Sequence, residues 1–78
     1  MPSSLHTERY ELFRQLLIEY RKNAGLTQTD VANALSKPQS FVSKYEKGER
    51  RIDLLEFLDS SAAIGFEPQK FIDRIQSL

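Results

Sequence analysis

Three glycines and two internal prolines cut this chain into short segments, and that punctuation limits its fold more than any other feature. Gly25, Gly48 and Gly65 each directly follow a run of helical period, and glycine is the usual residue just past a helix end. Pro38 and Pro68 each precede a fresh periodic run, where a first-turn proline loses only an N–H that lacks a helical partner anyway. Thr27 with Asp30, and Asp53 with Glu56, have capping-box spacing, with Leu26/Val31 and Ile52/Phe57 at the hydrophobic staple positions. These signals predict helices over 8–24, 28–35, 39–47, 54–64 and 68–76, with 1–7 as an N-terminal tail and 8–78 as one domain. No alternating run of four or more residues competes, so the expected fold is all-α, a compact bundle of five helices.

Periodicity assigns the faces. At 100° per residue, Leu12, Leu16, Tyr20, Phe13, Ala24 and Leu17 share an arc of about 140° on the first helix. Leu54, Leu58, Ala62 and Leu55 span about 100° on the fourth, which predicts a core-facing stripe of leucines there. Phe71, Ile75 and Ile72 do the same on the fifth. Phe57 and Ile64 form a second apolar face on the fourth helix. With Phe66, Phe71, Ile72, Ile75 and Leu78 near the C-terminus, the chain holds more apolar surface than one small domain needs, which predicts a homodimer interface at those five residues. The competing reading is that Phe71 and Ile75 close the monomer core.

Composition removes whole classes of function. Leu, Ile, Val and Phe make up 22 of 78 residues, enough for a thin core. The absence of cysteine excludes disulfide scaffolds, thiolate zinc sites and cysteine nucleophiles. A single histidine, His6, leaves no Ser-His-Asp constellation and no multi-histidine metal cluster, so neither an enzyme nor a cofactor is expected. Acid pairs such as Asp53 and Glu56 suit helix caps better than acid–base catalysis, because no other polar group converges on them. No apolar run approaches a membrane span and the first residues lack signal-peptide character, which points to a cytoplasmic protein without a membrane partner. The net charge is zero, yet residues 37–51 carry three excess positive charges and 52–78 three excess negative ones. That asymmetry raises the prospect of a polyanionic partner.

The second and third helices are separated only by Ser36-Lys37-Pro38. Two short helices joined by such a turn form a helix-turn-helix, whose second helix enters the DNA major groove. On that helix Phe41, Tyr45, Val42 and Glu46 share one arc of about 140°. Gln39, Ser43, Lys47, Ser40 and Lys44 share the opposite arc, with no acid among them. Amides, hydroxyls and ammonium groups are the side chains that bond base edges and phosphates, although any solvated helix face also carries them.

The run Leu26-Thr27-Gln28-Thr29-Asp30-Val31-Ala32, then Leu35, then Gln39 through Gly48, resembles the lambda-repressor/Cro-like (xenobiotic-response-element type) helix-turn-helix family. The resemblance extends from about Phe13 to Ile75 and is most specific at Gly25-Leu26-Thr27-Gln28 and Ser43-Lys44-Tyr45-Glu46-Lys47-Gly48. It implies a five-helix domain, usually dimeric, that binds double-stranded operator DNA as a transcriptional regulator, here expected to be a repressor. By the same resemblance Gln28 matches a phosphate-bonding position that braces the recognition helix, and Gln39, Ser40, Ser43 and Lys44 match base-reading positions. Lys37 and Lys47 match phosphate-contacting flanks, and Ala32 matches the small residue that lets the two helices approach. Arg21 matches a position that pairs with the acid at Glu46. Ser36 departs from the family pattern, standing where many members carry glycine; a non-glycine residue at positive φ is costly but known, so the departure bears on the turn geometry and not on the fold. Arg50 and Arg51 are further candidates for phosphate contact, or merely for solvating a loop. Phe41 reads as a packing residue at the edge of the buried arc. Two other readings stay open: an antitoxin with a toxin partner or a restriction–modification controller, and a protein-interaction adaptor that keeps the fold without binding DNA.

Overall fold

The computed structural model describes residues 7–77. His6 and Leu78 lie outside them, and with Leu78 one member of the predicted dimer interface. Five helices follow in order: α1 Glu8–Asn23, α2 Gln28–Leu35, α3 Gln39–Lys47, α4 Leu54–Ile64 and α5 Pro68–Gln76. The predicted boundaries hold to within one residue. Thr7, placed in the tail by sequence, is the N-cap of α1, its hydroxyl accepting from the Tyr10 N–H at 3.1 Å. Both capping boxes form. The Thr27 and Asp53 side chains accept from the N–H groups of Asp30 and Glu56, whose carboxylates accept back. Pro68 opens α5 as expected, whereas Pro38 sits at the N-cap of α3, outside its first turn.

The core collects Leu16, Leu17, Val31, Ala32, Val42, Tyr45, Phe57, Ile64 and Phe71. Its centre is aromatic. The Phe57 and Phe71 rings lie 5.0 Å apart, Phe13 meets Phe71 edge-on at 5.6 Å, and Phe66 stacks on Tyr20 at 4.8 Å. Such pairs add about 0.5–1.5 kcal/mol each beyond the area they bury.

Two expectations are corrected here. The leucine stripe of α4 faces outward: Leu54 is 65% exposed, Leu55 70% and Leu58 38%, while Phe57, Ser60, Ser61 and Ile64 are buried. The helix turns this way because Phe57 joins the aromatic cluster, and Ser60 and Ser61, about one turn from its C-terminal end, are small enough to be buried on the same side. The Ser61 hydroxyl is bonded to the Leu58 carbonyl at 2.7 Å, which offsets the cost of its burial, whereas the Ser60 hydroxyl is buried without a hydrogen-bond partner. The second correction follows from the first. Phe71 is completely buried and unavailable to a partner, and Phe66, Ile72 and Ile75 are half-buried against the same core. Of the residues read as a dimer interface, Phe71 is therefore taken up by the monomer core, while Phe66, Ile72 and Ile75 keep part of their surface exposed.

Candidate nucleic-acid interface

The turn between α2 and α3 is set by Ser36, which takes the left-handed conformation at φ 55°, ψ 42°. Its N–H and that of Lys37 return to the last carbonyls of α2, the latter to Ala32 at 2.9 Å. A Cβ in this region costs roughly 1–2 kcal/mol, which glycine would avoid. The chain then enters α3, which buries Val42, Tyr45 and Glu46, half-buries Phe41, and leaves Gln39, Ser40, Lys44 and Lys47 exposed. Ser43 is half-buried, at the margin of the outer face.

A chain of hydrogen bonds runs from the interior to the first residue of α3. Arg21 grips Glu46 with two bonds, Nε to Oε2 at 2.7 Å and Nη2 to Oε1 at 3.0 Å, and both residues are buried. Those bonds hold the Arg21 pKa above its ordinary value, against the opposing effect of burial. Arg21 Nη1 also donates to the Leu26 carbonyl at 2.9 Å, tying the entrance of α2 to the same pair. Glu46 Oε1 accepts from Gln28 Nε2 at 2.8 Å, and Gln28 Oε1 accepts from Gln39 Nε2 at 2.7 Å.

The direction of this chain is fixed by chemistry. An ionised carboxylate can only accept, so Gln28 must turn its NH₂ toward Glu46 and its oxygen toward Gln39. Gln39 must in turn offer its own NH₂. What remains free on the exposed Gln39 amide is its carbonyl oxygen and its second N–H. The second N–H of Gln28 is also left over.

Arginine 14 belongs to the same construction, and the sequence reading missed it. Its Nη1 donates to the Glu46 carbonyl at 2.5 Å and its Nη2 pairs with Glu11. Its side chain fills the space beside Gly48, where an added Cβ would meet Arg14 Nε at 3.0 Å. Arg14 thus places a cation on the C-terminal carbonyls of α3, where the helix dipole favours one. Arg14 and Arg21 are seven residues apart, on one face of α1; that spacing was the available signal.

The basic residues divide. Lys37, Lys44 and Lys47 extend from an exposed surface. Arg50 is held differently from the sequence expectation: it meets Glu56 through two bonds of 3.0 and 2.9 Å and lies 4.6 Å over the Phe41 ring. Arg50 in turn keeps the Glu56 carboxyl below its ordinary range. Arg51 lies over the Tyr10 ring at 5.4 Å. Phe41 therefore packs, as expected, between α3, Arg50 and Lys37, whose Nζ is 5.5 Å from the ring. No group of three or more potential metal ligands occurs among the described residues, and none of their helices is long and apolar enough to cross a membrane.

Proteins similar to this chain are known. A helix-turn-helix family model matches residues 17–71, a span that includes Arg21, Gln28, Gln39 and Glu46. A solved structure, an XRE-family like protein from Pseudomonas syringae pv. tomato str. DC3000, is 42% identical, with a TM-score of 0.89 over 95% of this chain and 90% of that one. Among curated proteins none matches. The chain therefore belongs to the XRE-type helix-turn-helix family of DNA-binding transcriptional regulators, with its all-α, lambda-repressor-like fold.

Proposed function

We propose that this protein is a repressor that reads an operator of two half-sites as a homodimer, with α3 in the major groove. The observation that carries the reading is the directed chain from Glu46 through Gln28 to Gln39. It leaves Gln39 with one acceptor and one donor facing out, the complement of the adenine N6–H and N7 pair. A lone glutamine amide rotates freely; the bond to Gln28 restrains this one, which supports adenine as its target. Ser40 and Ser43 then adjust the preference, and Lys44 takes a guanine edge or a phosphate. Lys37, Lys47 and the spare N–H of Gln28 are the phosphate contacts of this reading. Arg50, already bonded to Glu56, is left out of that set, and Arg51 stays a phosphate candidate at its edge. Repression needs nothing beyond occupancy, since a domain seated in the groove blocks an overlapping promoter.

Selection from a pool of random duplexes, followed by titration of the winning site against a scrambled one, tests this. The expected product is a two-fold site with adenine at matching positions in each half. Gln39→Ala should lower the preference for that site by about 1–3 kcal/mol while leaving scrambled DNA nearly unaffected. A pool that yields no enriched sequence would end the proposal, and an unchanged preference in Gln39→Ala would remove Gln39 from it.

A further inference from the structure

We infer that Glu56 holds Arg50 in reserve as a phosphate contact, so that a carboxylate at the start of α4 limits how tightly the chain binds DNA of any sequence. The inference rests on the major-groove reading above, in which Lys37 meets the DNA backbone. Arg50 stands beside that lysine. The Arg50 guanidinium carbon is 4.6 Å from the centre of the Phe41 ring, and Lys37 Nζ is 5.5 Å from the same centre. Phe41 follows Gln39 and Ser40 directly on α3, which puts Arg50 at the flank of the reading face. Its side chain is 41% exposed, enough for a phosphate to reach it.

The fork of that guanidinium is already occupied. Nη1 and Nη2 each take one oxygen of Glu56, and Nη1 also donates to the Arg51 carbonyl at 2.8 Å. Carboxylate and phosphate offer a guanidinium the same two-oxygen geometry, so Glu56 fills the place a phosphate would take. An ordinary surface pair gives way easily. This one is tethered, because Glu56 Oε1 also accepts from the Asp53 N–H at 3.0 Å in the capping box that starts α4. The carboxylate cannot swing aside without giving up the cap, and a phosphate approaching Arg50 meets a fixed negative charge. Lys37, Phe41 and Glu56 line one small cleft, so that charge also faces the lysine. While paired, Arg50 and Glu56 add no net charge and no counterion release; an Arg50 set free would add one phosphate contact.

Glu56→Gln tests this, since glutamine keeps the oxygen that the capping box needs and loses the charge. Fluorescence anisotropy of the full chain on a duplex of arbitrary sequence should show a salt slope steeper by about one. The variant's gain in affinity should then be about threefold larger at about 50 mM salt than at about 200 mM. A selected operator should gain equally, because phosphate contacts carry no sequence information. Two further variants assign the cause. Glu56→Gln/Arg50→Ala should return the slope to the wild-type value. Asp59→Asn, which takes a negative charge from the same cleft and leaves the Arg50–Glu56 bonds in place, should leave it unchanged. An unchanged slope in Glu56→Gln, a steeper one that survives Arg50→Ala, or an equal effect of Asp59→Asn would overturn the inference. None of these outcomes touches the Gln39 reading, which is judged by preference between sites. A pool without an enriched site would end that reading and leave the comparison on arbitrary DNA standing.

Discussion

Removing Glu46 should cost this protein a large part of its stability, and removing its partner as well should return it. Glu46→Ala leaves Arg21 with two guanidinium N–H groups aimed at empty space, and Arg21 is only 8% exposed. Breaking a buried pair from one side costs about 3–5 kcal/mol, because the surviving charge stays desolvated. At about 0.05–0.15 kcal/mol per residue, 78 residues have roughly 4–12 kcal/mol in total. For a domain of this size each kcal/mol lost lowers Tm by about 4–8 °C, so a fall of about 12–40 °C is expected by circular dichroism. Arg21→Met/Glu46→Leu removes both charges while keeping bulk. Replacements of this kind are often neutral or stabilising, so the double variant should melt within about 8 °C of wild type. It should nevertheless lose operator preference, since Gln28 no longer has a carboxylate to set its direction and Gln39 is free to turn. A Glu46→Ala protein melting within about 4 °C of wild type would show that the pair is not desolvated. A double variant as unstable as the single one would refute the argument that the stranded charge is what costs.

Further outcomes follow from the turn, the caps and the surface charges. Ser36→Gly should relieve the left-handed strain and, after the added chain entropy of glycine, raise stability by about 0.5–1 kcal/mol in a urea titration. Gly48→Ala should do the reverse by about 1–2 kcal/mol, since φ is +80° and Arg14 occupies the space. The Glu56 carboxyl, held down by the Arg50 hydrogen bonds, titrates below its ordinary 4.5 in the folded chain. Unfolded chains therefore bind more protons in that window, and stability present above about pH 5 is lost as pH falls through the folded pKa. Glu56→Gln should flatten the dependence of the urea midpoint on pH between about 5 and 3. Lys47→Ala and Lys37→Ala should each weaken specific and non-specific DNA binding alike and reduce the salt slope by about one, measured by fluorescence anisotropy.

Features written in local spacing were legible in the sequence. Helix ends and both capping boxes each depend on residues within four positions of one another. The Arg21–Glu46 pair spans 25 residues, and only resemblance to a family of known architecture brought it forward. The Gln28–Gln39 bond spans eleven and exists because of how Ser36 sets α3 against α2. No periodicity along the chain encodes a distance across a turn. Arg14 was the near miss, readable from its seven-residue spacing to Arg21 once Arg21 had been assigned inward.

The fourth helix failed for a different reason, and the failure is informative. A helical wheel ranks faces by how apolar they are, and by that measure three leucines outrank a face with two serines. Packing ranks faces by how closely they fit. Phe57 supplies the ring that Phe13, Phe66 and Phe71 surround, and Ser60 and Ser61 are small enough to be buried against neighbouring helices. Once α4 is seated that way, the leucines have nowhere to go but outward. A monomer under selection for solubility alone gains nothing from exposing Leu54, Leu55 and Leu58 together, whereas scattered single hydrophobics need no explanation. The apolar residues around α4 exceed what one packed face requires. That excess, misread from the sequence as core, stays on the outer side of α4.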